Sequence, residues 1–299
     1  MNVANDYQLL DFGDGRKLER FGDFVLDRPA PAAEGIERGK PELWHTANGR
    51  YERTSGERGI WLPEGALPES WIVRFGSFAF ELKPTEFGHL GIFPEQADNW
   101  EWIAEQVRNA DRPLKVLNLF AYTGGSTLAA ATACSAPGSA GGLVVVSEVV
   151  HVDAAKNTVA WARKNAEHSG LANATIRWIC EDATKFVRRE LKRGNHYDAV
   201  ILDPPSFGRG PAGEMWKIEE HLPDLLRDCV ALTAGQPQFM LLTAHTTGVG
   251  KVELRKLLAD ALGPEKDRHV ISSEMNLIDS QERKLPCGVM ARWSALAVA

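Results

Sequence analysis

The run Ala199-Val200-Ile201-Leu202, followed directly by Asp203-Pro204-Pro205, constrains the fold more than any other stretch of the chain. An unbroken apolar segment of strand-forming residues suits a strand covered on both faces, the environment of a parallel sheet. The two prolines have no backbone N–H for a ladder, so the strand must end there and leave in an extended path. Asp203 therefore belongs at the carboxyl end of a buried strand, the edge at which open α/β sheets bind their ligands.

The 299-residue chain changes character near Pro113. Before it, short alternating segments such as KLERFGDFVLD and SWIVRFGSFAFELK lie between Gly- and Pro-rich turns, the pattern of a β-rich module. After it, apolar runs alternate with helical periodicity, the pattern of a parallel sheet with crossover helices. Strands are expected at Leu114–Phe120, Leu143–Val152, Thr175–Cys180, Tyr197–Asp203 and Gln238–Thr243. Helices are expected at Ser126–Cys134, Ala154–His168, Ala183–Leu191, Glu219–Leu232 and Val252–Leu262. The tail segments HVISSEMNL and KLPCGVMARW read as two more strands joined without a helix, which makes the last one antiparallel at or near the sheet edge. The organisation expected is a smaller β-rich, substrate-recognition domain over 1–93, a linker helix over 94–112 and an α/β domain over 113–299.

Composition excludes several classes. With 44% hydrophobic and 25% charged residues the chain has the balance of a soluble globular protein. No apolar run approaches the ~20 residues that span a bilayer, and the start MNVANDYQ lacks the features of a signal peptide, so the expectation is a cytoplasmic protein without a membrane partner. Cys134, Cys180, Cys229 and Cys287 are scattered, and the histidines form no HxxxH pair in a helical context, so no metal site is expected. The first 110 residues carry 12 basic and 19 acidic side chains within a chain of net charge −6, which gives no global support for binding a polyanion. Arg188, Arg189, Lys192 and Arg193 form a local basic cluster that fits either a solvated helix face or a nucleic-acid contact.

The chemistry-bearing residues fall at successive strand ends. The first strand leads into LNLFAYTGGSTLAA, where Gly124 and Gly125 allow close backbone approach beside a helix N-terminus. The loop is neither GxGxxG nor GxxxxGK[ST], which disfavours a phosphate cradle, and Gly124 and Gly125 also fit a simple tight turn. Asp153 follows the second strand; it can accept both hydroxyls of a ribose or simply cap the next helix. Asp182 follows the third strand with the same two readings, and Asp203 follows the fourth.

From about Lys115 to the C-terminus the chain resembles the class I S-adenosylmethionine-dependent methyltransferases, an α/β, Rossmann-like fold. The pairing of NLFAYTGG with DPPSFGRG and the tail RKLPCGVMARW is similar to the bacterial group that includes the 23S rRNA cytosine-C5 methyltransferases. FGHLGIFPEQADNW, residues 87–100, matches the segment joining that group's N-terminal module to its catalytic domain. The resemblance implies that Phe120, Ala121, Tyr122, Thr123 and Gly124 wrap the methionine end of S-adenosylmethionine. It further implies that Asp153 and Ala154 serve the ribose, that Asp182 and Ala183 serve the adenine, that Asp203 lies near the methionine amine, and that Gln96 closes the pocket. An RNA substrate, ribosomal RNA, is what the family implies as partner.

Pro204, Pro205, Ser206 and Phe207 are expected to face the methyl acceptor, with Asp203 orienting the donor. In amino-methyltransferases of nucleic acids an NPPY or DPPY turn offers an aromatic face to the base. Here Ser206 stands in that place and Phe207 one residue later, so Phe207 either stacks on the acceptor or packs under the loop. Cytosine C5 requires a thiolate to add to the ring first. The loop in question reads LLTAHTTG, residues 241–248, without a cysteine, and His245 there either takes a proton from a nitrogen or oxygen or is simply a histidine hydrogen-bonded in the loop. The function expected is methyl transfer to RNA at such an atom. Alternatives are a protein or small-molecule methyltransferase, or a cofactor-binding module without activity.

Overall fold

Strands form where the sequence is continuously apolar, and the architecture follows from how they are connected. The computed structural model describes residues 6–56, 58–132, 148–209, 215–246 and 248–296. The expected helix end at Cys134 and the expected strand start at Leu143 lie outside the described residues. Two compact units are present: one of residues 1–95, 164–170 and 276–287, the other of 96–163, 171–275 and 288–299.

The first unit is built on short strands with alternating burial. β1 (Tyr7–Gly13), β2 (Arg16–Phe21), β3 (Phe24–Pro29), β4 (Gly49–Ser55) and β5 (Arg58–Leu62) form a five-stranded sheet in that order. β3 and β4 run parallel, while the other neighbours are antiparallel. β6 (Trp71–Phe75) and β7 (Phe78–Leu82) make a separate hairpin, and β7 is tied to residues 164–170 by Glu81 N–H donating to Asn165 Oδ1 at 2.9 Å.

One buried carboxylate fastens this unit. Asp11 has no exposed surface and accepts from Gly39 N at 2.9 Å, Lys40 N at 3.0 Å, Trp44 Nε1 at 2.7 Å and the Arg283 guanidinium. Arg283 stacks over Phe12, 4.4 Å from its centroid, and also pairs with Asp279 at 2.8 Å. The ends of the chain, 272 residues apart, are thus joined through one acceptor.

Along the rest of the chain α1 (Ala97–Arg108) precedes β8 (Lys115–Leu119), α2 (Gly125–Thr132), β9 (Glu148–Asp153), α3 (Lys156–His168), β10 (Ile176–Cys180) and α4 (Ala183–Lys192). β11 (Ala199–Leu202) leads to the short hairpin β12 (Phe207–Arg209) and β13 (Met215–Lys217), then α5 (Ile218–Leu232), β14 (Phe239–Ala244), α6 (Lys251–Leu262), α7 (Pro264–Asp267), β15 (Ile271–Ile278) and β16 (Lys284–Ser294). The seven-stranded order is β10-β9-β8-β11-β14-β16-β15. β10, β9, β8, β11 and β14 are parallel, and β16 is antiparallel to β14, one place in from the edge. β11 and β14 are buried at every position, as their unbroken apolar sequences require. The expected elements are present, with ends differing by a few residues, while the β12–β13 hairpin and α7 are additional. No described helix is long and apolar enough to cross a membrane.

Burial pushes the Asp11 carboxyl up, but the bonds from Trp44, Lys40, Gly39 and Arg283 outweigh it and hold it below its ordinary value. The stability this contributes is present above the ordinary carboxylate range and is lost as pH falls through the lowered value. Asp11→Ala should cost about 3 kcal/mol, because it orphans the Trp44 indole and two backbone donors. Urea denaturation followed by tryptophan fluorescence measures this, and a loss below about 1 kcal/mol would refute the role.

Candidate active site

The strand order reverses beside β8. From β8 the chain steps to β9 and β10 on one side, then returns to β11 on the other. Crossovers leaving in opposite directions open a crevice at the carboxyl ends of the two central strands. The end of β8 is strained there: Phe120 and Tyr122 adopt positive φ of 54° and 47°, and Gly124 follows at 95°. Left-handed non-glycine residues cost on the order of 1 kcal/mol or more each and persist only where surroundings impose them.

Those surroundings are identifiable. Ala121 N donates to Val152 O at 3.1 Å and Tyr122 N to Asp153 Oδ2 at 3.0 Å, so the loop is bolted to the end of β9. The Phe120 ring meets Trp216 at 5.1 Å between centroids. Leu128 N donates to Gly124 O at 2.8 Å, starting α2. A Cβ on Gly125 would lie 2.5 Å from Trp100 Cζ2, so only glycine lets the loop seat on α1. Beneath it, Asn118 Nδ2 donates to Thr127 Oγ1 at 2.9 Å, and Thr127 meets His151 Nδ1 at 2.9 Å. Burial pushes the His151 imidazole down to about 3, so this link between β8, α2 and β9 stays uncharged.

Asp153 Oδ1 accepts from Ala155 N at 2.9 Å. Burial pushes its carboxyl up beyond what the bonds from Ala155 and Tyr122 recover, leaving it in want of further donors such as hydroxyls. Ala154 follows it, and its carbonyl accepts from Cys180 Sγ at 3.5 Å. Asp182 takes the helix-cap role, accepting from Lys185 N at 2.9 Å, and Ala183 is the buried first residue of α4.

Asp203 is the centre of a denser cluster. Thr243 Oγ1 donates to its Oδ1 at 2.5 Å, His245 Nε2 lies 3.4 Å from Oδ1, and Gln96 Nε2 donates to Oδ2 at 3.1 Å. Burial opposes the charge, but the attraction of His245 and the bonds from His245, Thr243 and Gln96 prevail and hold the carboxyl below its ordinary value. Gln96, Asp203 and His245, each singled out in the sequence, are thus brought together with Thr243, which was not. A lone hydroxyl at the end of the apolar strand FMLLTA is the signal that could have found it.

Pro204 is buried, whereas Pro205, Ser206 and Phe207 are exposed, Phe207 by 52%. Phe207 opens β12 instead of packing under the loop. Trp216 on β13 donates Nε1–H to Pro205 O at 2.7 Å, and the Ser206 and Thr246 hydroxyls meet at 2.8 Å, linking the exits of β11 and β14. Trp216 and Thr246 carry no periodicity that would have marked them. Of the described cysteines, Cys229 is buried with its thiol pushed up by burial, and Cys287 is pushed up by burial to about 12. Cys180 lies at the end of β10, beside Ala154. Among the described residues no group of His, Cys, Asp and Glu could hold a metal ion.

A family model described as S-adenosylmethionine-dependent methyltransferase matches residues 43–243. A solved structure of a SAM-dependent methyltransferase from Agrobacterium tumefaciens is 36% identical with a TM-score of 0.87, over 98% of this chain and 91% of that one. The ribosomal RNA large subunit methyltransferase I of Aeromonas hydrophila is 31% identical, over 58% of this chain and 40% of that protein. That of Erwinia tasmaniensis is 29% identical, over 83% of this chain and 61% of that protein. The chain thus spans about half the length of these curated relatives.

The contact between the loop and α1 is open to a direct test. Gly125→Ala must displace the Trp100 ring, at a cost of about 1–3 kcal/mol. Chemical denaturation reads this, and an unchanged midpoint would show that the ring accommodates a methyl group freely.

Proposed function

The chain belongs to the S-adenosylmethionine-dependent methyltransferase family, and on that premise we propose that it methylates RNA, ribosomal RNA in particular, at a nitrogen or oxygen. The observation that carries the choice of atom is the pairing of His245 with Asp203 in a loop without a thiol. The names of the curated relatives support the RNA part.

The residues fit the cofactor by the chemistry of their donor and acceptor sets. Asp203, kept ionised, suits a cationic amine; Asp153, short of donors, suits the ribose hydroxyls. The strained run Phe120, Ala121, Tyr122, Thr123 and Gly124 lines the methionine end, while Asp182 and Ala183 at the start of α4, with Ala154, border the adenosine. When bound, S-adenosylmethionine supplies a methyl group on a positively charged sulfur. The protein has to align the acceptor in line with it and keep water away. Pro204 and Pro205 hold that approach rigid, and Ser206 and Phe207 face the acceptor. His245 accepts the proton released at the acceptor atom on Nδ1, the ring nitrogen that does not face Asp203, and the carboxylate beside Nε2 stabilises the imidazolium that results.

A second reading, methylation of a protein or small molecule, is favoured by one observation: the first 110 residues hold 19 acidic side chains against 12 basic ones. The RNA reading uses the N-terminal unit for substrate recognition and implies a cytoplasmic site of action.

Labelled methyl transfer from S-adenosylmethionine into extract of cells lacking this chain decides between them. Label in RNA, recovered as an N- or O-methylated nucleoside, is the expected result; label in protein or small molecules, or at carbon, overturns the substrate. His245→Ala should retain S-adenosylhomocysteine binding and slow transfer by about 10²–10⁴-fold. Unchanged turnover would remove His245 from the mechanism.

A further inference from the structure

Gln96 is 5% exposed and Asn99 on the first turn of α1 is 2% exposed, so both amides must be satisfied internally. Asn99 Nδ2 donates to Gln96 Oε1 at 2.7 Å and lies 3.2 Å from Met275 Sδ. Gln96 Nε2 donates to Asp203 Oδ2 at 3.1 Å and lies 3.4 Å from Thr243 Oγ1. An ionised carboxylate can only accept, so the Gln96 amide has to turn its NH₂ toward Asp203. Its Oε1 then faces the other way and needs a donor, which Asn99 supplies. A thioether is a weak acceptor, so the second Asn99 N–H is suited to Met275. Donation runs outward from Asn99, through Gln96 to the acceptor-only carboxylate on one side and directly to the sulfur on the other.

We propose that Asn99 is a positioning residue for the methyl donor: by holding Gln96 Oε1 it fixes the direction of that amide and keeps the Asp203 carboxylate aimed at the donor's amine. The inference rests on the assignment of Asp203 to that amine made above. Without Asn99 the Gln96 amide is free to turn through half a rotation and set its oxygen against the carboxylate, a repulsive contact. The titratable neighbour facing Asp203 is His245, 3.4 Å away; Thr243 and Gln96 are neutral donors. Loss of the amide bond leaves the carboxylate easier to protonate, consistent with the part that bond plays in holding it below its ordinary value.

Two variants that keep the branched skeleton of the side chain separate this role from simple packing. Asn99→Leu removes the donor; Asn99→Asp puts an acceptor in its place whenever the new carboxyl is ionised. S-adenosylhomocysteine affinity of the full chain is measured by calorimetry between about pH 3 and about pH 8. Asn99→Leu should weaken binding by about tenfold toward the acid end and move the acid limb up by about one pH unit. Asn99→Asp should behave oppositely, weakest near pH 8 and recovering as its carboxyl protonates and becomes a donor. The same series on a His245→Ala background removes the imidazole's own titration, and both shifts should persist there. Circular dichroism checks folding, and either variant alone decides the matter through the sign of its pH dependence. A loss equal at every pH, or none, overturns the inference and leaves Asn99 as packing. Failure of the unaltered chain to bind at any pH overturns instead the assignment of Asp203.

Discussion

A charged carboxylate at the end of a buried strand can persist only if enough donors converge on it. Desolvating a carboxylate costs several kcal/mol in a protein interior, and each charge-assisted hydrogen bond returns about 1.5–3 kcal/mol. Asp203 meets that requirement with donors from different parts of the second unit: Thr243 and His245 at the end of β14, and Gln96 just before α1. The parallel register explains why β14 supplies two of them. Leu202 pairs with Leu242, so the residues that follow, Asp203 and Thr243, leave the sheet side by side. The exit of β11 is then pinned from the far side by Trp216 and Thr246.

Asp153, two strands away, answers the opposite way to burial. Among the described residues its donors are two backbone groups, Tyr122 N and Ala155 N, and its carboxyl stays above the ordinary value. Asp203 has His245, Thr243 and Gln96 around it and stays below. In the proposed assignment the two carboxylates at one sheet edge are tuned for different company, one for a positive amine and one for neutral hydroxyls. Asp153 Oδ2 also anchors the strained Tyr122 amide. The conformational cost at Phe120 and Tyr122 is therefore offset by contacts that the end of β9 provides.

The sheet was legible because its central strands are continuously apolar and end in residues that cannot continue a ladder. Gln96 and Asp203 were legible through motif resemblance, yet their contact spans 107 residues and no local pattern encodes it. The left-handed Phe120 and Tyr122 were hidden because left-handed backbone is expected at glycine, and nothing in NLFAYTGG says that two aromatics adopt it first. The parallel pairing of β3 with β4 was hidden as well, since neighbouring short strands normally suggest hairpins. The β12–β13 hairpin has three residues on each side, too short for any alternation to register.

The donor and acceptor sides differ in how firmly the fold determines them. On the donor side the determining groups are backbone amides and buried side chains: Tyr122 N, Gln96, Asn99 and Thr243, each fixed by a partner that is itself fixed. On the proposed acceptor side stand Ser206, Phe207 and His245, all exposed and carried on loops or a short hairpin. Substitutions on the first side disturb a hydrogen-bond chain in which every member sets the direction of the next. Substitutions on the second change a surface that few other residues depend on. A shift such as Phe207 standing one place beyond the usual aromatic is tolerated there because Trp216 and Thr246, and not the aromatic, hold the Pro-Pro turn. Scaffolds of this kind can retain one methyl donor while the acceptor changes, and the displaced aromatic and missing thiol of this chain lie on the side where such change costs the fold least.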